Sequence, residues 1–367
     1  MRARIERDDI RAALARVRPA VARGSVSLPA LRCVLISASD AGLSFTACDI
    51  DSRISTVVDI GVHVEGSVLV PHERLSQLVG KAQAGAIDLA MVKHELEVTA
   101  NGGRLVAKLN TVDVADFPRW TNATGDPVQF GADWLAVTNV VHARSRDDAR
   151  PNLTHVVLGH GWAYATDSYR LARQPIAYQN DGEVLLAGAV VEAVAKSVDD
   201  GAGLTLTMDG QRFDLEHEGT TWSGHLLNAD PPAWSTIESM YDRACGIAVT
   251  IGREALADAV VAIGAIGLTE QTAADGHKFT TSIAHLAASD GAEALTVAGK
   301  HSDHGHVTVD VSAAVVGGDV DIKFNGGFLL DALKVCESDT VTLNLTDGFK
   351  PCSIVDDELE LLVMPTK

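Results

Sequence analysis

The sequence predicts an α+β chain made of three copies of one domain, each with two helices and two small antiparallel sheets. Two observations carry this. Three stretches follow one order of strand, amphipathic helix and β-hairpin: GSVLVPHERLSQLVGKAQAGAIDLAMVKHELEVTA from Gly66, GEVLLAGAVVEAVAKSVDDGAGLTLTMDGQRFDLEH from Gly182, and DVDIKFNGGFLLDALKVCESDTVTLNLTDGFKPCSIVDD from Asp319. Their starts are 116 and 137 residues apart, too long for a solenoid repeat, so each copy belongs to a whole domain. The half of the unit that precedes each stretch repeats more weakly. RARIERDDIRAALARVRPAV, PVQFGADWLAVTNVVHARSR and GIAVTIGREALADAVVAIGAIG each read as a strand followed by a helix. A chain of 367 residues also exceeds the usual size of one core.

Taken in order, the first helix carries Ile10, Leu14 and Val17 on one stripe, and its counterpart in the third copy carries Leu256, Val260 and Ile263. The strand-rich part of each unit ends in a related run: SFTACDIDSRI, AYATDSYRLAR and TVAGKHSDHGH. These matches place the domains at 1–122, 123–243 and 244–367. Opposite the apolar stripes lie basic residues. Arg11 and Arg18 are seven apart, as are Arg74 and Lys81, so each pair shares a helix face. Arg144, Lys196, Arg253 and Lys334 occupy the corresponding helices, with Arg23, Arg146 and Arg150 close by in sequence. A solvated helix face would explain this spacing equally well.

Hydrophobic residues at 46% and charged residues at 22% are ordinary for a water-soluble globular chain. No apolar run approaches the roughly 20 residues that span a bilayer, and the charged start MRARIERDDI lacks a signal-peptide core, so a cytoplasmic location and no membrane partner are expected. Cys33, Cys48, Cys245, Cys336 and Cys352 form no CxxC pair; they read as reduced, mostly buried residues. The net charge of −19, taken as a sum, argues against nucleic acid. Its distribution is more informative. The three segments carry 15 basic against 14 acidic residues, 8 against 17, and 7 against 18, so the two ends of the chain differ in charge and favour head-to-tail association.

Motifs for catalysis are absent: no P-loop, no G-x-S-x-G elbow and no HExxH occur, and the Gly-rich places are hairpin turns. Asp49 and Asp51 form a D-x-D that fits a turn better than a metal site. His301, Asp303, His304 and His306 could hold a transition metal, but a solvated His-rich loop is the simpler account. No enzyme activity, metal or cofactor is expected.

SLPALRCVLISASDAGLSFTACDID near the start, VADFPRW at the end of the first domain, ATDSYRLA in the second, FNGGFLLDAL in the third and the terminal LLVMP together resemble the bacterial replicative sliding clamp, the beta subunit of the replicative polymerase, over essentially the whole chain. The resemblance implies three DNA-clamp domains of one topology and a head-to-tail homodimer that encircles duplex DNA without reading its sequence. Twelve helices at about 9–10 Å between axes would leave an opening on the order of 25 Å or more. Sparse basic residues facing such a hole offset repulsion by phosphates, and sliding requires no tight grip.

The same resemblance implies a hydrophobic cleft that takes short peptides from the replicative polymerase, the clamp loader and other proteins with clamp-binding motifs. Carried over by motif, its wall is Leu153, Thr166, Tyr169, Arg170, Leu171, Pro232, Ile237, Asn325, Phe328, Leu362, Met364 and Pro365. Read without the resemblance, Leu171, Ile237 and Phe328 would be core residues. Tyr169 stands where many relatives carry His, and Ser235 and Thr236 stand where basic residues are common. GKHSDHGH replaces a Glu-rich stretch that meets the neighbouring subunit, so His301, His304 and His306 on one side, with Arg104 and Lys108 on the other, are the expected dimer contacts. Those departures leave a specialised paralogue of the clamp open, and outside the class a monomeric scaffold of the same repeated domain.

Overall fold

The computed structural model describes residues 1–24, 26–179, 182–241, 245–266, 269–272, 278–301 and 304–366, with backbone alone for 269–272 and 278–280. Seven α-helices occur among the described residues: α1 (Arg7–Val17), α2 (His72–Lys81), α3 (Gly131–Val140), α4 (Gly188–Ala195), α5 (Trp234–Tyr241), α6 (Arg253–Ile266) and α7 (Gly326–Val335). The chain divides into two compact units, residues 1–135 with 186–228, and 136–185 with 229–367. Residues 123–243 contribute to both.

In the first unit, α1 forms where the stripe requires it. Ile10, Ala13, Leu14 and Val17 are buried, Asp8 and Asp9 complement the positive helix start, and Arg16 lies in the last turn. Strand Arg2–Glu6 before it alternates outward and inward, burying Ala3 and Ile5. This strand lies in a five-stranded sheet whose far edge is Leu105–Asn110. The second sheet of the unit has eight strands, because Thr220–His225 adds antiparallel to Ser52–Val58. At that seam the Thr56 and Thr220 hydroxyls, both buried, bond each other at 2.8 Å. The two small sheets expected per domain are thus joined to strands from beyond the expected boundary, which satisfies edge groups that would otherwise be open.

The second unit holds a twelve-stranded sheet. Arg170–Pro175 pairs antiparallel with Leu359–Val363, again linking distant parts of the chain. Helix α6 buries Leu256, Ala259, Val260 and Ile263, the expected stripe. Helix α5, in the segment that holds Pro232 and Ile237, is not among the helices expected from the repeat. Only Ile237 of α5 is buried, so its apolar periodicity is faint. Arg173 helps fix it: the guanidinium lies 3.9 Å from the Tyr241 ring centroid and 4.5 Å from that of Trp162, and pairs with Glu360 at 2.7 Å.

One order recurs three times. Gly66–Pro71, α2, Ala86–Val92 and Glu95–Ala100 correspond to Val184–Ala187, α4, Thr205–Met208 and Arg212–His217, and to Val320–Asn325, α7, Thr340–Leu345 and Cys352–Asp356. No helix among the described residues is long and apolar enough to cross a membrane.

Candidate functional site

The expected cleft residues lie in the second unit, around a turn that the sequence repeats. Asp167 Oδ1 accepts from the backbone N–H of Tyr169 at 2.8 Å and of Arg170 at 3.0 Å, with Ser168 at φ 80°. Asp49 makes the same kind of turn, accepting from Ser52 N at 2.8 Å and Ser52 Oγ at 2.9 Å, with Ile50 at φ 87°. Asp49 of the D-x-D therefore serves a turn.

The Asp167 turn aims two side chains. Arg170 Nε donates to Asp167 Oδ2 at 3.0 Å, Nη1 donates to Asp331 Oδ2 at 2.7 Å, and the guanidinium sits 4.4 Å from the Phe328 ring centroid. Burial pushes the Asp167 carboxyl upward, and Arg170 and the two amides oppose it. Tyr169 is half exposed and stacks on Phe328 at 6.4 Å. The chain end closes the same place. Met364 N donates to Tyr169 O at 2.8 Å, Pro365 bridges Phe324, and Thr366 N donates to Lys323 O at 2.8 Å. Met364 itself is 37% exposed, so an apolar side chain faces solvent beside Tyr169. Asn325 caps α7, accepting from Gly327 N and Phe328 N, and also from Thr281 Oγ1 at 2.6 Å.

Leu153, Thr166 and Pro232 line a shallow hollow with Tyr164 and His155. Leu171, Ile237 and Leu362 do not reach the surface: each is at most 4% exposed and packs beneath the site. The sequence reading missed Asp331, which lies 161 residues from its partner Arg170 and carries no local signal. It also missed Asp167, which the repeated Asp at the end of a strand could have revealed.

The basic residues separate into two groups. Arg11, Arg18, Arg23, Arg74, Lys81, Arg146 and Lys196 are exposed. Arg11, Arg18 and Arg23 line a cleft of about 610 Å³ beside α1 and α2, together with Arg32, which the sequence reading passed over. His72 at its wall bonds Leu14 O at 2.9 Å; burial, helped by Arg18, holds its pKa below the usual range. Arg144, Arg150, Arg253 and Lys334 each have a neighbouring partner, although the Lys334 side chain is 70% exposed. Arg144 donates to Ser145 O at 3.0 Å and Arg150 to Ser168 Oγ at 3.3 Å, beside the groove turn. Arg253 donates to Ser338 O at 3.0 Å, and Lys334 is 3.7 Å from Asp331.

Of the expected dimer contacts, Arg104 and Lys108 are exposed at or near the edge strand Leu105–Asn110, where Val106 is 57% exposed and Lys108 is 3.8 Å from Glu97. His301 and His304 stack at 4.4 Å, and His306 faces Lys300 across the hairpin Ala294–His301 and Gly305–Val316. Ala294–His301 pairs on its other side with Ile283–Ala288, whereas on the outer side of Gly305–Val316, among the described residues, Ala313–Val316 alone pairs further, with Ala248–Ile251. Among the described residues no group of three His, Cys, Asp or Glu is placed to hold a metal; Asp303 and the terminal Lys367 lie outside them.

Residues 1–121 match the family model for the DNA polymerase III beta subunit, N-terminal domain, and residues 281–367 match the C-terminal domain of the same subunit, together more than half of the chain. A beta sliding clamp of Chlamydia trachomatis is 26% identical over 93% of the chain and 80% of that protein. A beta sliding clamp of Streptomyces coelicolor is 26% identical over 100% of the chain and 99% of that protein. The crystal structure of the DNA polymerase sliding clamp from Bacillus subtilis superposes with a TM-score of 0.80 at 20% identity, covering 100% of the chain and 99% of that structure. With both end domains matched and the fold shared from one end to the other, the chain belongs to the DNA polymerase III beta subunit family.

Proposed function

We propose that the chain is a DNA sliding clamp, a non-catalytic processivity subunit with domains at 1–122, 123–243 and 244–367. Two copies join head to tail, enclose duplex DNA without reading its sequence, and act in the cytoplasm at the nucleoid. The threefold order of strand, helix and two strands is the observation that carries this, since six such units in two chains make a closed ring. Edge strand Leu105–Asn110 and the open side of Gly305–Ser312 supply the two unlike surfaces that head-to-tail pairing needs. The charge difference between the ends of the chain acts in the same sense. Arg104 and Lys108 belong to one side, and His301, His304 and His306 to the other.

The groove at Tyr169, Arg170, Phe328 and Met364, continued by Leu153, Thr166 and Pro232, takes a short peptide with leucine or aromatic anchors. Such a peptide comes from the polymerase, the clamp loader or other proteins bearing the same motif. Arg170, already paired with two carboxylates, shapes the wall, while the mobile thioether of Met364 adapts to several sequences. General clamps are named among the relatives, so a specialised paralogue has no particular support. The test is titration of a labelled leucine- and phenylalanine-containing peptide. Met364→Glu should remove binding, because it puts an unpaired charge into an apolar groove, and leave the dimer mass unchanged. Equal affinity for both proteins would refute the groove.

A further inference from the structure

We propose that His160 is a positioning residue for the peptide groove: its imidazole, stacked on Trp234, holds the start of helix α5 and with it the wall at Pro232. This rests on the groove reading and deepens it, by naming a side chain that sets how firmly a peptide is held without belonging to the groove itself. Trp234, the first residue of α5, meets three rings. His160 lies 5.0 Å away with planes 15° apart, whereas Tyr164 at 5.6 Å and Trp162 at 6.2 Å are tilted by 51° and 35°. His160 is thus the ring that stacks flat on the indole. The helix has little else to hold that end. Only Ile237 of α5 is buried, and the amides of Thr236 and Ile237 donate to Ala233 O within the same segment. Ahead of it, Asn152 Nδ2 reaches Asp230 O at a long 3.4 Å. The far end is fixed separately, by Arg173 under the Tyr241 ring and by the Tyr241 hydroxyl, which donates to Glu360 O at 3.1 Å.

His160 is itself held in place by the turn and by a carboxylate. Its φ of 57° is left-handed, a region that His and Asn enter more readily than most residues. Glu183 Oε1 lies 3.4 Å from His160 Nε2 and accepts from the Tyr164 hydroxyl at 2.5 Å. Gly159 makes the room for this, since a Cβ there would stand 2.7 Å from Glu183 Cγ. Burial, and then Glu183, push the Tyr164 phenol above its usual range, so it stays protonated and donating. Tyr164 also lines the hollow shared by Leu153, Thr166 and Pro232. The carboxylate therefore ties the imidazole to one wall of the groove, and the indole carries its position to the other, two residues along at Pro232. A wall fixed before a peptide arrives need not be ordered by it, and that saving appears as affinity.

The test uses the full chain, fluorotryptophan in place of tryptophan, and the same labelled peptide, with Trp234→Phe to assign the Trp234 fluorine resonance. His160→Asn keeps a residue that suits the left-handed turn and removes the ring. It should move the Trp234 resonance in the free chain and weaken the peptide about three- to tenfold, the worth of one aromatic pair. His160→Phe restores a ring but strains the turn, so it should keep affinity within about twofold of wild type while lowering the unfolding midpoint. A residue that served only the turn would give the reverse order, with Asn binding normally and Phe weakened. That order overturns the proposal, as does a Trp234 resonance that His160→Asn leaves in place. Met364→Glu is measured alongside. If it abolishes binding while both His160 variants bind like wild type, the groove stands and His160 has no part in it. If the wild-type chain takes no peptide, or Met364→Glu takes it equally well, the groove reading falls and this inference falls with it.

Discussion

Thr56 and Thr220 show how much one atom pair can decide. Their hydroxyls meet in a dry seam, so each satisfies the other. Thr220→Val should leave Thr56 without a partner and cost about 1–3 kcal/mol in chemical denaturation, whereas Val at both positions should come back close to wild type. A single variant as stable as the double one would show that the seam is wet. His142 makes a pH prediction of the same grain. Burial, with Arg170 nearby, lowers its pKa from 6.5 to about 4. The unfolded chain then binds a proton that the folded chain refuses, so stability is present above pH 6.5 and falls as pH drops from there toward 4. His142→Gln should flatten the dependence of the unfolding midpoint on pH in that window. An unchanged slope would remove His142 as its source.

Among the elements, what was legible in the sequence followed from local periodicity. The stripes Ile10, Leu14, Val17 and Leu256, Val260, Ile263 are buried as read, since a helix face repeats every three to four residues and needs no distant partner to be seen. Helix α5 was illegible because it buries one residue in eight. The seams Trp222 against Ile54 and Leu171 against Leu362 were illegible because strand pairing between distant segments leaves no local trace. In the candidate groove, ATDSYRL and LLVMP lie side by side as paired strands. They could not show that Leu171, Ile237 and Leu362 lie beneath it, nor that Asp331 holds Arg170. Helix α7 offers a test at this scale: Asn325→Ala removes its cap and should cost about 0.5–2 kcal/mol. It should also weaken the labelled peptide, because Phe328 in the first turn loses its anchor. Loss of stability with unchanged peptide affinity would separate the cap from the groove.

For the molecule as a whole, the proposed function rests on closure of the ring more than on any single contact. A body of charge −19 stays on a polyanion only if it surrounds it, and sliding then demands that local contacts be few. In the proposed ring, the edge Leu105–Asn110 is the place where closure would be broken without touching the proposed groove. Val106→Asp with Lys108→Glu should convert dimer to monomer in native mass measurement while peptide affinity persists. The most direct measurement of the central claim is retention on circular DNA after loading. The account predicts that the chain stays on a nicked circle and leaves once that circle is cut into a linear molecule. Equal retention on circular and linear DNA would contradict it.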